Sequence, residues 1–375
     1  MTRVPFVDLA AQEATVAGDV LTAIGEVARE AKFVLGARVE AFEAWLAREC
    51  GTAHAVGVAS GSDALELTLR ALGVGPGDAV VTPALSFIAA AEAVAIAGAR
   101  PVFCDVEVDT MNASERTVGD AIARARRAGL RVRAVLPVHL FGRCAPLVAL
   151  RALADCEGLV LLEDAAQALG GRDERGRAPG SVGDAGCFSF FPAKNLGAWG
   201  DGGAVVTHRD DVAARVRRLR AHGMTAPYVH VELGRNSRLD ALQAAVLLAK
   251  SPHLPAWQAA RTRIARRYRA ELAGLPLTLP GEPAAPEVHA WHAFVVRSER
   301  RDALVAGLRE RGVEARVYYP EPLHRQRCFE ALHEPALPVT EAICRTALAL
   351  PMFTAMRDEQ QAHVIDALEG FFRDN

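Results

Sequence analysis

The sequence predicts an α/β fold with a mostly parallel sheet, followed by a smaller α/β unit at the C-terminal end. Three observations predict it. Residues 55–210 alternate short apolar runs with helical stretches. The runs, at 79–82, 101–105, 134–138, 159–163, 187–190 and 203–207, are continuously apolar, as strands buried on both faces are. The segments between them, at 62–72, 86–97, 115–128 and 146–156, read as helices and suit crossovers between parallel strands. The runs at 185–190 and 203–207 lie close together and are also compatible with an antiparallel pair. Ligands in such sheets bind beyond the carboxyl ends of the strands.

Ahead of this region, 15–50 reads as two amphipathic helices. Val39, Phe42 and Leu46 recur at helical spacing and Trp45 widens the stripe. After it, a long helix is expected over 238–272, broken by Pro252 and Pro255 at a hinge. That places a large domain at 1–250 and a small one at 251–375. The small unit is expected to hold strands at 291–297 and 313–319, a helix at 301–311, and a C-terminal helix from Asp358. The polar, glycine-rich stretch 171–183 is expected to be mobile or to border a site.

A chain of 375 residues suits a two-domain subunit. Its net charge of -2 excludes electrostatic recruitment of nucleic acid or of an anionic membrane, and no basic DNA-binding module is attached. Arg261, Arg263, Arg266 and Arg267 are read as a solvated helix face. The seven cysteines form no CxxC pair and no zinc spacing, so no metal is expected. Their odd, scattered set suits a reducing cytoplasm, with most of them packed as small hydrophobes. The longest apolar stretch, 83–99, is opened by Pro83 and interrupted by Glu92, which argues against a membrane span, and the N-terminus has no signal-peptide core.

Lys194 lies in Ser189-Phe190-Phe191-Pro192-Ala193-Lys194-Asn195-Leu196-Gly197, among small and apolar residues rather than in a charge run. A surface loop lysine is one reading. The other is an amine sheltered enough to be partly neutral and to attack an aldehyde. Asp164 follows the apolar run 159–163. It is compatible with a helix cap or ion pair, and equally with a partner for a protonated pyridine nitrogen. Together the two point to pyridoxal phosphate. Ser189, five residues before the lysine, is either a satisfied core serine or a hydroxyl placed to bond its phosphate. Gly61 and Ser62, at a helix start, are either part of an ordinary cap or offer free N–H groups to the same anion. Phe87 is either a core residue or a ring stacked on the cofactor, and Gln167 either a cap or a ring contact. His139 is a core histidine, a donor behind the site, or a substrate contact. Asn236 and Arg238 cap the following helix or reach an anion in a neighbouring subunit, and Asp240 sits in that helix's first turn.

This set resembles the DegT/DnrJ/StrS family of sugar-nucleotide aminotransferases over nearly the whole chain. The matching stretches include Val4-Pro5-Phe6-Val7-Asp8, Gly61-Ser62-Asp63-Ala64-Leu65 and Glu163-Asp164-Ala165-Ala166-Gln167. Others are Phe188-Ser189-Phe190 through Lys194 to Gly200-Asp201-Gly202-Gly203, Asn236-Ser237-Arg238-Leu239-Asp240, and Tyr319-Pro320 with Pro322-Leu323-His324. The resemblance implies a fold-type I (aspartate aminotransferase-like) subunit, working as a homodimer with shared active sites. It implies that Lys194 carries the cofactor, Asp164 holds its pyridine nitrogen, Phe87 stacks on it, and Gly61, Ser62 and Ser189 bind phosphate. Asn236 is implied to reach in from the partner subunit. Substrate contacts are expected at Tyr319, His324 and Arg238. An amino acid, glutamate, is the implied donor and a nucleotide-linked ketosugar the acceptor, with Gln167 leaning the choice toward C3. Tyr318 departs from the histidine many relatives carry there. Lys194 itself argues against the branch whose members carry histidine and act as dehydratases. The rival readings are another enzyme of the same fold, acting on a cyclitol ketone or as a dehydratase, and a non-catalytic cofactor-binding regulator.

Overall fold

The computed structural model describes residues 3–374. Helices α1 (Leu9–Ala14), α2 (Ala17–Glu30) and α3 (Ala37–Cys50) open the chain. The α3 stripe Val39, Phe42 and Leu46 is buried, as its spacing predicts. Then follow β1 (His54–Val58), α4 (Gly61–Ala71), β2 (Asp78–Pro83), α5 (Ala89–Ile96) and β3 (Arg100–Cys104). Next come α6 (Glu115–Arg127), β4 (Arg131–Val135), α7 (Leu147–Glu157), β5 (Val160–Asp164), β6 (Ala185–Ser189) and β7 (Gly203–Thr207).

These seven strands form one sheet in the order β1-β7-β6-β5-β4-β2-β3. Its β3, β2, β4, β5 and β6 are mutually parallel, whereas β7 is antiparallel to both β6 and β1. The close pair at 185–207 is therefore antiparallel. Because only β7 is reversed, the carboxyl ends of the other six strands and the start of β7 share one edge. The continuously apolar runs are explained by burial on both faces. Val80 packs into one core with Val56, Leu162 and Cys187, while its neighbours Ala79 and Val81 pack into another with α6 and α7. Burying such a valine stabilises the fold by roughly 1.5–3 kcal/mol.

Beyond the sheet come α8 (Asp210–Leu219), the short pair β8 (Met224–Ala226) and β9 (Val229–His230), and α9 (Ala241–Lys250). The long helix expected over 238–272 is broken by a 3₁₀ turn at Ser251–His253, and α10 (Leu254–Glu271) continues from it. Pro255 sits in the first turn of α10, where a missing N–H is harmless. The C-terminal part holds β10 (Phe294–Arg297), α11 (Arg301–Glu310), α12 (Pro338–Thr346), β11 (Ala347–Leu350) and α13 (Asp358–Asp374).

Two expectations need correction. The strand expected at 313–319 is two isolated bridges, Val313 with Val4 and Arg316 with Ala349. That segment serves neighbours on different sides, and the partner of β10 is β11 instead. Val4 is fully buried with Leu304, Leu308 and Phe371, so the start of the chain packs with its C-terminal end. Arg261 does not belong to a solvated face: it is buried, while Arg263 and Arg266 are exposed. Five of the seven cysteines are buried; Cys156 and Cys328 are exposed. Among the described residues no helix is long and apolar enough to cross a membrane.

Candidate active site

The shared sheet edge collects the candidate residues. Gly203, at the start of β7, pairs with both Val58 of β1 and Ser189 of β6. Just past β1, Ser60 caps α4 by accepting the Asp63 N–H at 3.1 Å. Gly61 and Ser62 are thus the first helical residues, and helix geometry gives their N–H groups no intrahelical acceptor. Glycine is required where the chains meet. A Cβ on Gly203 would stand 2.2 Å from the Ser60 carbonyl oxygen, and one on Gly61 2.7 Å from Ser189 Cβ. The helix start therefore descends onto Ser189, and the two make a cup whose free N–H groups would suit an anion.

After β6 the chain makes the loop that carries Lys194. Phe190 donates to the Gly202 carbonyl and accepts from Ala198, both at 2.8 Å, and Phe190 and Leu196 are fully buried. The fully buried Lys250 donates to the Gly197 carbonyl at 2.7 Å and pairs with Glu13. Glu13 also accepts from the Trp199 indole at 2.6 Å. Helices α1 and α9 thus pin the loop from outside. Burial pushes the Lys194 amine down to about 8, although the nearby Asp164 carboxylate pulls the other way. Asp164, the last residue of β5, is buried, and this raises its pKa against the opposing effects of the Ala166 N–H, Lys194 and His139. Its Oδ1 accepts the Ala166 N–H at 3.0 Å; among the described residues no protein donor reaches Oδ2.

A cavity of about 450 Å³ brings together Gly61, Ser62, Phe87, Asp164, Gln167, Ser189, Lys194 and Tyr319. Phe87 is 57% exposed, so it is a wall of the cavity and not a core residue. Gln167 accepts the Phe141 N–H at 2.7 Å and donates to the Tyr319 hydroxyl at 3.3 Å. Three candidates are not brought in. His324 is buried away from the cavity against Phe103 and bonds Glu341 at 3.0 Å. Arg238 is half-buried outside the cavity. Asn236 is exposed, although its neighbours Arg235 and Ser237 both bond Asp63 at the start of α4. Neither Asn236 nor Arg238 caps the helix; Asp240 holds the N-cap of α9.

His139 and the 171–183 loop find their explanation in Glu163. This carboxylate is fully buried directly before Asp164. It accepts backbone N–H groups from Gly180 and Gly183, both at 2.6 Å, and from Val182 at 2.8 Å. The fourth partner is His139 Nε2 at 2.8 Å. His139 Nδ1 accepts the Ala145 N–H at 3.1 Å, so Nε2 carries the proton and donates it to Glu163. His139 is a donor behind the site, and the loop is fastened beneath it; none of 171–183 lines the cavity. Glu163→Gln sets an amide N–H₂ against donors. It should lower stability by about 3–5 kcal/mol, read as a fall in the denaturant midpoint.

Sequence reasoning missed Ser86, Asp201 and His292 as cavity walls, and drew no role for Tyr318. His292 Nδ1 stands 3.2 Å from Asn195 Oδ1, and Asn195 Nδ2 donates to the Ala290 carbonyl at 2.7 Å. That second bond fixes the amide, so the imidazole donates from Nδ1 and leaves Nε2 unprotonated. Burial, Lys194 and Arg261 hold its pKa well below the ordinary range. Asn195, directly after the lysine, was the available signal.

A model of the DegT/DnrJ/EryC1/StrS aminotransferase family matches residues 15–369. The chain belongs to this family. It is 45% identical to the UDP-N-acetyl-3-dehydro-alpha-D-glucosamine 3-aminotransferase of Acidithiobacillus ferrooxidans, over 97% of this chain and 96% of that one. It is 44% identical to the dTDP-3-amino-3,4,6-trideoxy-alpha-D-glucose transaminase of Streptomyces venezuelae, over 98% and 95%. The crystal structure of S. venezuelae DesV in complex with a ketimine intermediate superposes with a TM-score of 0.93 at 43% identity, covering 99% of each chain. The subunit is a fold-type I aminotransferase that depends on pyridoxal phosphate.

The residues present fit that cofactor. The glycine-built cup suits its phosphate, the donorless Asp164 Oδ2 suits its pyridinium N–H, and the buried, unpartnered Ser86 Oγ lies on the cavity wall. When bound, the cofactor supplies a cationic ring that draws electrons from an adjacent carbon. The chain supplies the rest. With the cofactor bound, Asp164 would hold a charge that keeps the ring protonated, Ser189 with Gly61 and Ser62 would anchor the phosphate, and Lys194 Nζ would accept and return a proton. In the cofactor-free protein, reaction of Lys194 with an amine-directed reagent should rise with pH through a midpoint near 8. An ordinary lysine titrates at about 10.4. Mass-spectrometric labelling at Lys194 across this range reads the difference, and a midpoint above 10 refutes the desolvation argument.

Proposed function

We propose that this chain transfers the amino group of L-glutamate to C3 of a nucleotide-linked ketosugar, in the cytoplasm, as a homodimer with shared sites. The observation that carries it is the Lys194–Asp164 pair in one cavity with the phosphate cup. The two curated relatives named above, both described as acting at position 3 of a nucleotide sugar, support the choice of C3. So does Gln167, which stands in the cavity wall beside Tyr319. A partner subunit is supported by large apolar side chains left in solvent, Tyr228 at 93% and Leu233 at 87% exposure, close in sequence to Asn236. The division of the chain near residue 250 belongs to this proposal, with the Ser251–His253 turn as its joint.

The test uses the purified protein loaded with cofactor. Glutamate should remove the visible absorbance, and a nucleotide-linked 3-ketosugar should restore it. Recovery with 4-ketosugars alone overturns the C3 assignment. Sedimentation of the protein as a monomer at working concentration overturns the shared site.

A further inference from the structure

His292 is held more firmly than a cavity wall requires. Its N–H donates to the Phe141 carbonyl at 2.9 Å, and Ala290 donates to the Gly142 carbonyl at 2.7 Å. The buried Arg261 of α10 donates to the carbonyls of Trp291 and His292, at 3.1 and 3.3 Å. Each of the two chain segments carries a non-glycine residue in the left-handed region, Trp291 at φ 46° and Phe141 at φ 57°. Such backbone is costly, persists only where its surroundings enforce it, and clusters at functional sites. The ring is fastened too. Nδ1 donates to Asn195, the residue after Lys194, and Asn195 is itself buried and fixed by Ala290. The imidazole is thus tied down except at Nε2, which has no hydrogen-bond partner among the described residues. His292 and Lys194 are walls of the same cavity.

Lys194 has a matching need. Among the described residues its Nζ makes no hydrogen bond, and Asp164 reaches it only through charge. A bound cofactor engages Asp164 at the ring nitrogen, so the amine must find another acceptor whenever it is free. It can take a proton from carbon only with its lone pair turned toward that carbon, which requires an N–H held elsewhere. Burial, Lys194 and Arg261 suppress the basicity of His292, so its imidazole accepts an N–H without capturing the proton. We propose that His292 is a positioning residue for Lys194: its Nε2 accepts one Nζ–H of the freed amine and aims the lone pair at the substrate carbon. The proposal rests on Lys194 as the proton carrier. A sugar hydroxyl is the other donor available to Nε2, and the tie through Asn195 to the lysine's own loop favours Lys194.

The test compares the wild-type holoenzyme with His292→Asn and His292→Gln. Asparagine keeps an N–H₂ near the place of Nδ1, and so keeps the bond to Asn195, but brings nothing to the place of Nε2. Glutamine brings an amide oxygen there. The first readout is amine labelling of Lys194 across pH in protein loaded with pyridoxamine phosphate, where the amine is free. An acceptor favours the charged amine, so His292→Asn should lower the labelling midpoint by about half a pH unit or more. The other titratable groups of the cavity, Asp164, Asp201, Tyr318 and Tyr319, and Arg261 beside it, are the same in every protein compared. The second readout is the donor half-reaction with L-glutamate and with glutamate deuterated at Cα. His292→Asn should slow it roughly tenfold or more with half-saturation little changed, and the isotope effect should rise. His292→Gln should recover part of both. An unchanged midpoint overturns the proposal, as does a loss confined to ketosugar half-saturation, which assigns Nε2 to a sugar hydroxyl. Equal loss in both variants with an unchanged isotope effect marks a structural residue and also overturns it. If His292→Asn fails to fold, the midpoint of His292→Gln against that of His292→Leu decides. A wild-type enzyme that ignores glutamate refutes the proposed donor, and the midpoint still decides the role of His292.

Discussion

Lys194→Ala should reduce kcat/KM by a factor of about 10³ or more, because two roles vanish with one amine. On the proposed reading, the protein would lose the nucleophile that attaches the cofactor, and the base and acid that moves the substrate proton. The size of the effect follows from where the amine sits. It is desolvated between Asp164 and the buried loop that Lys250 and Glu13 secure, so no other lysine of the cavity can replace it. Steady-state turnover with donor and ketosugar measures the loss. Reduction by borohydride followed by mass spectrometry should find the cofactor on residue 194 of the wild-type protein and on no residue of the variant. Turnover within tenfold of wild type would falsify the assignment.

Asp164→Asn should lower kcat by about 10²–10³, the usual loss when one preorganised electrostatic partner is removed. Stability should move the other way or hold. Burial raises the Asp164 pKa, so the charged form is penalised in the folded, cofactor-free protein once the pH exceeds that raised value. A neutral amide relieves the penalty, and its oxygen still accepts the Ala166 N–H. The expected pair of results is therefore a cofactor-free melting temperature no lower than wild type and a large fall in turnover. A variant that melts early with turnover unchanged identifies Asp164 as a structural carboxylate.

Much of this was legible because the relevant signals are local. Strands buried on both faces read as unbroken apolar runs, and all six of the strands expected in the large sheet are present. Lys194, Asp164 and Ser189 each lie at or just after a strand end, where chain order alone predicts an edge. Their neighbours in the fold were less legible. Strand β11 follows α12 without a turn signal, so its partnership with β10 could not be read from periodicity. His292 lies 97 residues beyond Asn195 and meets it only through the fold. Arg261 looked like one of a row of helical arginines, and only packing shows which of them faces inward. His324 matched a pattern, yet burial against Phe103 turns it from the cavity.

By itself, the sequence determined the α/β alternation, the lysine and carboxylate that line one cavity, and the small residues at the start of α4. These follow from short-range chemistry: periodicity, capping, and the space a glycine leaves. The tertiary structure alone decided that β7 runs backwards and lays Gly203 under the start of α4, and that Glu163 ties His139 and a distant loop behind Asp164. It alone turned Arg261 inward, beside the lysine's cavity. The physical reason is that burial and charge pairing depend on which distant segments exclude water from a group, and that is fixed only when the chain has closed around it.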